Sequence, residues 1–102
     1  MKRILVAEDE DVIRDFVVIN LRRSGYEVVD VPNGDEALRV FDENGGDFDI
    51  CLLDIMMPKL DGWQVCRDIR KKSNCPIIMI TASQRPFAGG FCQFLCRILS
   101  LL

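Results

Sequence analysis

The chain has 102 residues, a net charge of −3 and 49% hydrophobic residues, enough for one domain with a real core. It contains no histidine, which excludes a Ser-His-Asp or Cys-His machine, a histidine zinc site and a self-supplied phosphohistidine. No apolar run approaches the roughly 20 residues of a membrane span, the acidic balance argues against direct nucleic-acid binding, and "MKRILVAEDE" turns acidic before a signal-peptide core could form. A soluble, cytoplasmic protein without membrane contact is expected. The five cysteines are odd in number and form no CxxC pair, so they are read as reduced and structural.

In chain order, "RILVA" (3–7) is a short apolar run ending in acids and reads as the first strand. From Asp11 to Arg23, Val12, Ile13, Phe16, Val17 and Leu21 recur at helical spacing, with Asn20 the polar exception. Ser24-Gly25 stops that helix. "YEVVDV" (26–31) is β-branched and reads as the second strand. Asn33 can cap a second helix with Ala37, Leu38 and Phe41 inward, ended by "NGG" at 44–46. "DICLLD" (49–54) is the third strand. A third helix is predicted from Gly62 to about Lys72, with Val65, Cys66 and Ile69 inward and a basic run at its C-terminal end. "PIIMIT" (76–81) is the fourth strand. Strands without polar alternation, separated by helices, predict an α/β fold with a parallel sheet covered on both faces.

The chemistry gathers at strand ends. Strand one runs into Glu8-Asp9 and strand three ends at Asp54. The carboxyl ends of parallel strands open onto the usual binding crevice, so adjacent strands would bring three carboxylates to one edge. Mutual repulsion there is relieved by a hard divalent cation, and Mg²⁺ needs only one or two carboxylates besides waters. Taken alone, Glu8 to Asp11 reads as a solvated helix start, Thr81 as a strand terminus and Lys59 as a surface residue. Their combination carries the information.

"ILVAEDED", "LLDIMMPKLDG" and "PIIMITA" together resemble the receiver domain of bacterial two-component response regulators, in order and spacing across residues 1–82. The resemblance implies a flavodoxin-like doubly wound sheet, incomplete here, with strand order 2-1-3-4. It implies Asp54 as phosphoacceptor, Asp9 and Glu8 as Mg²⁺-holding carboxylates and the Met56 backbone carbonyl as a further ligand. Pro58 and Gly62 shape the loop, and Thr81 is the switch hydroxyl. The donor it implies is a phosphohistidine on a sensor histidine kinase, which makes the chain a phosphoacceptor and not an enzyme in the ordinary sense.

After Ala82 the pattern departs. The family continues to a fifth strand ending in a lysine before a proline; residues 83–102 contain no lysine, and Arg85 does not take that role. "FCQFLCRILSLL" reads as an apolar, helical tail with one narrow polar stripe. All 16 acidic residues lie at or before Asp68. The abrupt change suggests a shifted reading frame or premature stop, with impaired switching as its consequence. Two alternatives come from other classes. One is a non-switching interaction module forming a homodimer through the strand-four edge and the tail. The other is an aspartate-nucleophile phosphatase, disfavoured because that class wants a carboxylate two residues after the nucleophile and position 56 is Met.

Overall fold

A computed structural model describes residues 2–80. The tail at 83–102 and Thr81 lie outside the described residues, so the expectations placed on them are not addressed by it.

The elements follow in the predicted alternation. β1 (Arg3–Ala7), α1 (Asp11–Arg23), β2 (Glu27–Val31), α2 (Gly34–Glu43), β3 (Ile50–Asp54), α3 (Gly62–Arg70) and β4 (Ile77–Ile80) form one parallel sheet in the order β2-β1-β3-β4. The third helix stops at Arg70, with Lys71 as its C-cap and Lys72 beyond it. Register is specific: Ala7 lies opposite Val31 on one side and opposite Leu53 on the other.

The alternation of side chains along β1 and β3 divides the core in two. Ile4, Val6, Ile50 and Leu52 face α1, which contributes Ile13, Val17, Val18 and Leu21. Leu5, Ala7, Cys51 and Leu53 face α2 and α3, which contribute Ala37, Phe41, Val65 and Ile69. Both faces of the two central strands are therefore dry, as their unbroken apolar sequence requires. A fully covered Leu such as Leu5 or Leu53 contributes about 1.5–3 kcal/mol relative to exposure.

Local signals explain the boundaries. Asn33 caps α2, its side-chain oxygen accepting from the Glu36 amide at 2.8 Å. Asp61 caps α3 in the same way, accepting from the Gln64 amide at 3.0 Å. Gly25 takes φ 91° just past α1, a conformation for which glycine has no steric cost.

Not every apolar residue in the helical pattern of α1 faces the sheet. Val12 is 68% exposed, not buried. The helix phase is set by Ile13, Val17 and Leu21, and Val12 sits about 100° around the axis from Ile13, off the sheet. Phe16 is only partly covered and Ile19 is largely exposed, so α1 carries an apolar strip pointing outward beside its core face. Among the described residues no helix is long and apolar enough to cross a membrane.

Candidate functional site

The parallel pairing of β1 with β3 delivers the three acids to one edge. Glu8 and Asp9 follow β1 directly, Asp54 is the last residue of β3, and one oxygen from each lies within 4.8 Å of the others. Asp54 is fully buried and Glu8 is nearly so. Burying carboxylates at this density is costly unless charge or hydrogen bonds compensate.

Part of the compensation comes from the backbone. The Met56 amide donates to Asp54 Oδ1 at 3.2 Å, and the Glu10 amide donates to Glu8 Oε2 at 3.0 Å. Asp9 differs. Its Oδ1 is buried without a hydrogen-bond partner. A buried carboxylate oxygen without a partner, on a residue of an acidic cluster, calls for a compensating charge, and an all-oxygen donor set suits a hard divalent ion.

The loop after Asp54 is held from several sides. The Ile55 amide donates to the Ile80 carbonyl at 3.2 Å, and the Gly62 amide donates to the Ile55 carbonyl at 3.2 Å. Gly62 packs so closely that a Cβ there would lie 2.5 Å from the Asp54 carbonyl oxygen. Gly34, opening α2, approaches the Leu60 carbonyl in the same fashion, at 2.4 Å from a would-be Cβ. Above the acids the loop borders a hollow of about 590 Å³, lined by Asp9, Ile55, Met56, Met57, Pro58, Asp61 and Trp63. Trp63 and Met56 are half or more exposed at its rim.

Two contributors carry no plain sequence signal. Lys59 is a surface side chain as expected, but its backbone has φ 66°, a left-handed conformation uncommon for a non-glycine residue. Its importance is to the turn, and nothing in its side-chain chemistry signals that. Arg14 donates to the Glu8 carbonyl at 2.8 Å and pairs with Asp11 at 2.6 Å and Asp30 at 3.3 Å. It thereby pins the acidic segment between α1 and β2. Its position on the half-buried flank of α1, one residue past Ile13, was the available signal.

Of the residues singled out in the sequence, the structure brings together Glu8, Asp9 and Asp54, with the amide of Met56 on Asp54. Residues 4–91 match the family model for the response regulator receiver domain. The chain belongs to that family. This receiver domain is 47% identical over 79 residues to the probable transcriptional regulator ycf27 of Cyanidium caldarium, covering 78% of this chain and 31% of that one. It is 48% identical over 81 residues to the ycf27 protein of Cyanophora paradoxa, covering 79% and 33%. The chain thus spans about a third of the length of these curated relatives. Among solved structures it is similar to the response regulator TrrA of Thermotoga maritima in complex with Mg²⁺ and BeF, at 44% identity and TM-score 0.74, covering 80% of this chain and 70% of that one. TrrA in complex with the histidine kinase ThkA matches at the same identity and coverage with TM-score 0.73.

Gly62→Ala is expected to destabilise the receiver domain by about 1–3 kcal/mol, because the new methyl meets backbone and not a yielding side chain. Urea unfolding measures this, and a loss under about 0.5 kcal/mol would contradict the close approach of Gly62 to Asp54.

Proposed function

We propose that this receiver domain accepts a phosphoryl group from a sensor histidine kinase onto Asp54, with Mg²⁺ held by Asp9, Glu8, Asp54 and the Met56 carbonyl. The observation that carries the reading is the unpartnered Asp9 oxygen in a cluster with buried Asp54. TrrA, the similar protein, was crystallised with Mg²⁺ and BeF and separately with a histidine kinase, which supports both the cation and the donor class. The absence of histidine from this chain fits a phosphohistidine supplied by a partner.

Mg²⁺, when bound, neutralises charge between the carboxylates and the incoming phosphoryl oxygens. The chain's own residues do the rest. The Met56 amide donates to Asp54 Oδ1 and so orients the carboxylate for attack through its Oδ2 oxygen. That oxygen forms a bond to phosphorus as the phosphorus–nitrogen bond to the donor imidazole breaks, and the freed imidazole nitrogen leaves with the electron pair. Residue 56 being Met, no carboxylate stands two positions on to act as acid or base for rapid hydrolysis, so the aspartyl phosphate persists as a signal. Thr81 is proposed to bind the phosphoryl group as the switch hydroxyl. The domain acts in the cytoplasm, where kinase catalytic domains and Mg²⁺ are found.

A second reading concerns assembly. Among the described residues β4 has a strand neighbour on one side only, and Ile77, Ile78 and Met79 are incompletely covered. Such an edge recruits another strand, and we propose that two copies pair there, with the apolar tail contributing. Light scattering coupled to size exclusion is expected to show a dimer at about 100 μM; a well-folded monomer at that concentration sinks the second reading and leaves the first untouched.

Mg²⁺ at ten times its Kd is expected to stabilise the domain by about 1.4 kcal/mol, seen as a melting temperature raised by several degrees. Asp9→Asn should abolish that response, and a variant that still responds like the parent would place the ion elsewhere.

Asp54 is expected to be the sole acceptor from acetyl phosphate, giving a label that requires Mg²⁺ and is released by base or hydroxylamine. Asp54→Asn should remove all labelling, and label persisting on the variant would overturn the assignment.

A further inference from the structure

The far end of β3 from Asp54 carries a second arrangement of reactive groups. Cys51 is fully buried near the start of the strand, and its sulfur lies 3.7 Å from that of Cys75, which is 7% exposed in the turn leading into β4. The backbone fixes this juxtaposition. The Cys51 amide donates to the Pro76 carbonyl at 2.9 Å, and Arg70 Nη1 donates to the Cys75 carbonyl at 2.5 Å. The Cys75 amide is held in turn by Ser73 Oγ at 3.0 Å. Both segments that present the sulfurs are therefore positioned by main-chain bonds independent of the thiols.

We propose that Cys51 and Cys75 are a redox-modifiable pair that a small peroxide oxidises to an intramolecular disulfide. Sulfurs 3.7 Å apart need to close to about 2.05 Å to form the bond, an approach of roughly 0.8 Å by each sulfur. The two thiols sit in unequal surroundings, the Cys75 sulfur also donating to the Phe48 carbonyl at 3.2 Å. Hydrogen bonding from Cys51 holds the Cys75 thiol below its ordinary range, with the Arg70 charge assisting against burial and Asp49. The same bond, together with burial, pushes the Cys51 thiol up. Cys75 precedes β4 while Cys51 lies within β3, so Cys75 is assigned as the attacking thiolate and Cys51 as the resolving thiol.

The step balances with hydrogen peroxide as oxidant. The Cys75 thiolate attacks one peroxide oxygen, the O–O bond breaks, hydroxide leaves and a sulfenic acid forms on Cys75. Cys51 then loses its proton and its sulfur attacks the Cys75 sulfur, displacing the sulfenic hydroxyl as water. Two thiols and one peroxide become one disulfide and two waters. The bond ties the strand ending in Asp54 to the α3–β4 turn and closes the chain between residues 51 and 75, which constrains the unfolded state. None of this depends on Asp54 being a phosphoacceptor.

The test treats the folded 102-residue chain with hydrogen peroxide, alkylates remaining thiols, and maps the peptides by mass spectrometry without reduction. The expected result is a monomeric species two hydrogens lighter, with the Cys51 and Cys75 peptides joined, reversed by dithiothreitol and melting several degrees higher than the reduced form. Cys75→Ala should leave Cys51 reduced under the same treatment. A sulfinic acid on Cys75 with Cys51 free, a bond from either residue to another cysteine, or no bond at all would overturn the proposal. The wild-type peptide map separates these outcomes even if the variant folds poorly.

Discussion

Two carboxylates less than 5 Å apart repel by roughly 3 kcal/mol at the effective dielectric found near protein surfaces, and this fold crowds three into one place. The crowding is enforced by register. Because Ala7 of β1 lies opposite Leu53 of β3, the residues that continue each strand, Glu8-Asp9 and Asp54, must emerge side by side. A slip of one residue would exchange the side chains packed on α1 with those packed on α2 and α3, so relieving it would require repacking both halves of the core. Apolar burial on both sides of β1 and β3 thus holds in place a cluster that electrostatics alone would scatter.

The same sheet explains why the following loop is so specific in sequence. Once Asp54 is fixed, the chain must turn sharply and deliver α3 back over the sheet without a side chain at the crossing. Gly62 meets that need against the Asp54 carbonyl, and Gly34 allows α2 to lie against the Leu60 carbonyl. Between them Lys59 adopts its left-handed φ, a local cost sustained by the contacts on either side. The loop is shaped as much by what α2 and α3 leave out as by what its own residues prefer.

These differences show what a sequence can and cannot disclose here. The β1 and β3 runs are apolar without alternation, so burial on both faces and parallel pairing were legible, and with them the meeting of Glu8, Asp9 and Asp54. The Asn33 cap was legible because its side chain acts on its own helix. The outward position of Val12 was not, because its apolar character does not say on which side of the buried stripe of α1 it falls, and it is exposed. Arg14 was missed for a related reason: its partners, the Glu8 carbonyl, Asp11 and Asp30, come from three segments whose proximity only the fold creates. The role of Lys59 is a backbone angle, and lysine has no intrinsic preference that would advertise it.

The thiol pair belongs to the same class of hidden feature. Cys51 and Cys75 are 24 residues apart in sequence, and each alone reads as a small buried hydrophobe. They meet because β3 and β4 are adjacent and parallel, the arrangement that also places Ile80 beside Asp54 at the other end. β3 therefore takes part in two chemical sites, oxygen-rich at its end through β1 and sulfur-rich at its start beside the turn into β4. Their separation along β3 by Leu52 and Leu53, both buried and inert, lets each be altered without touching the other's reacting atoms. Any influence of one on the other must pass through the stiffness of that strand, which is where an effect of the thiols' state on the acidic site would have to arise.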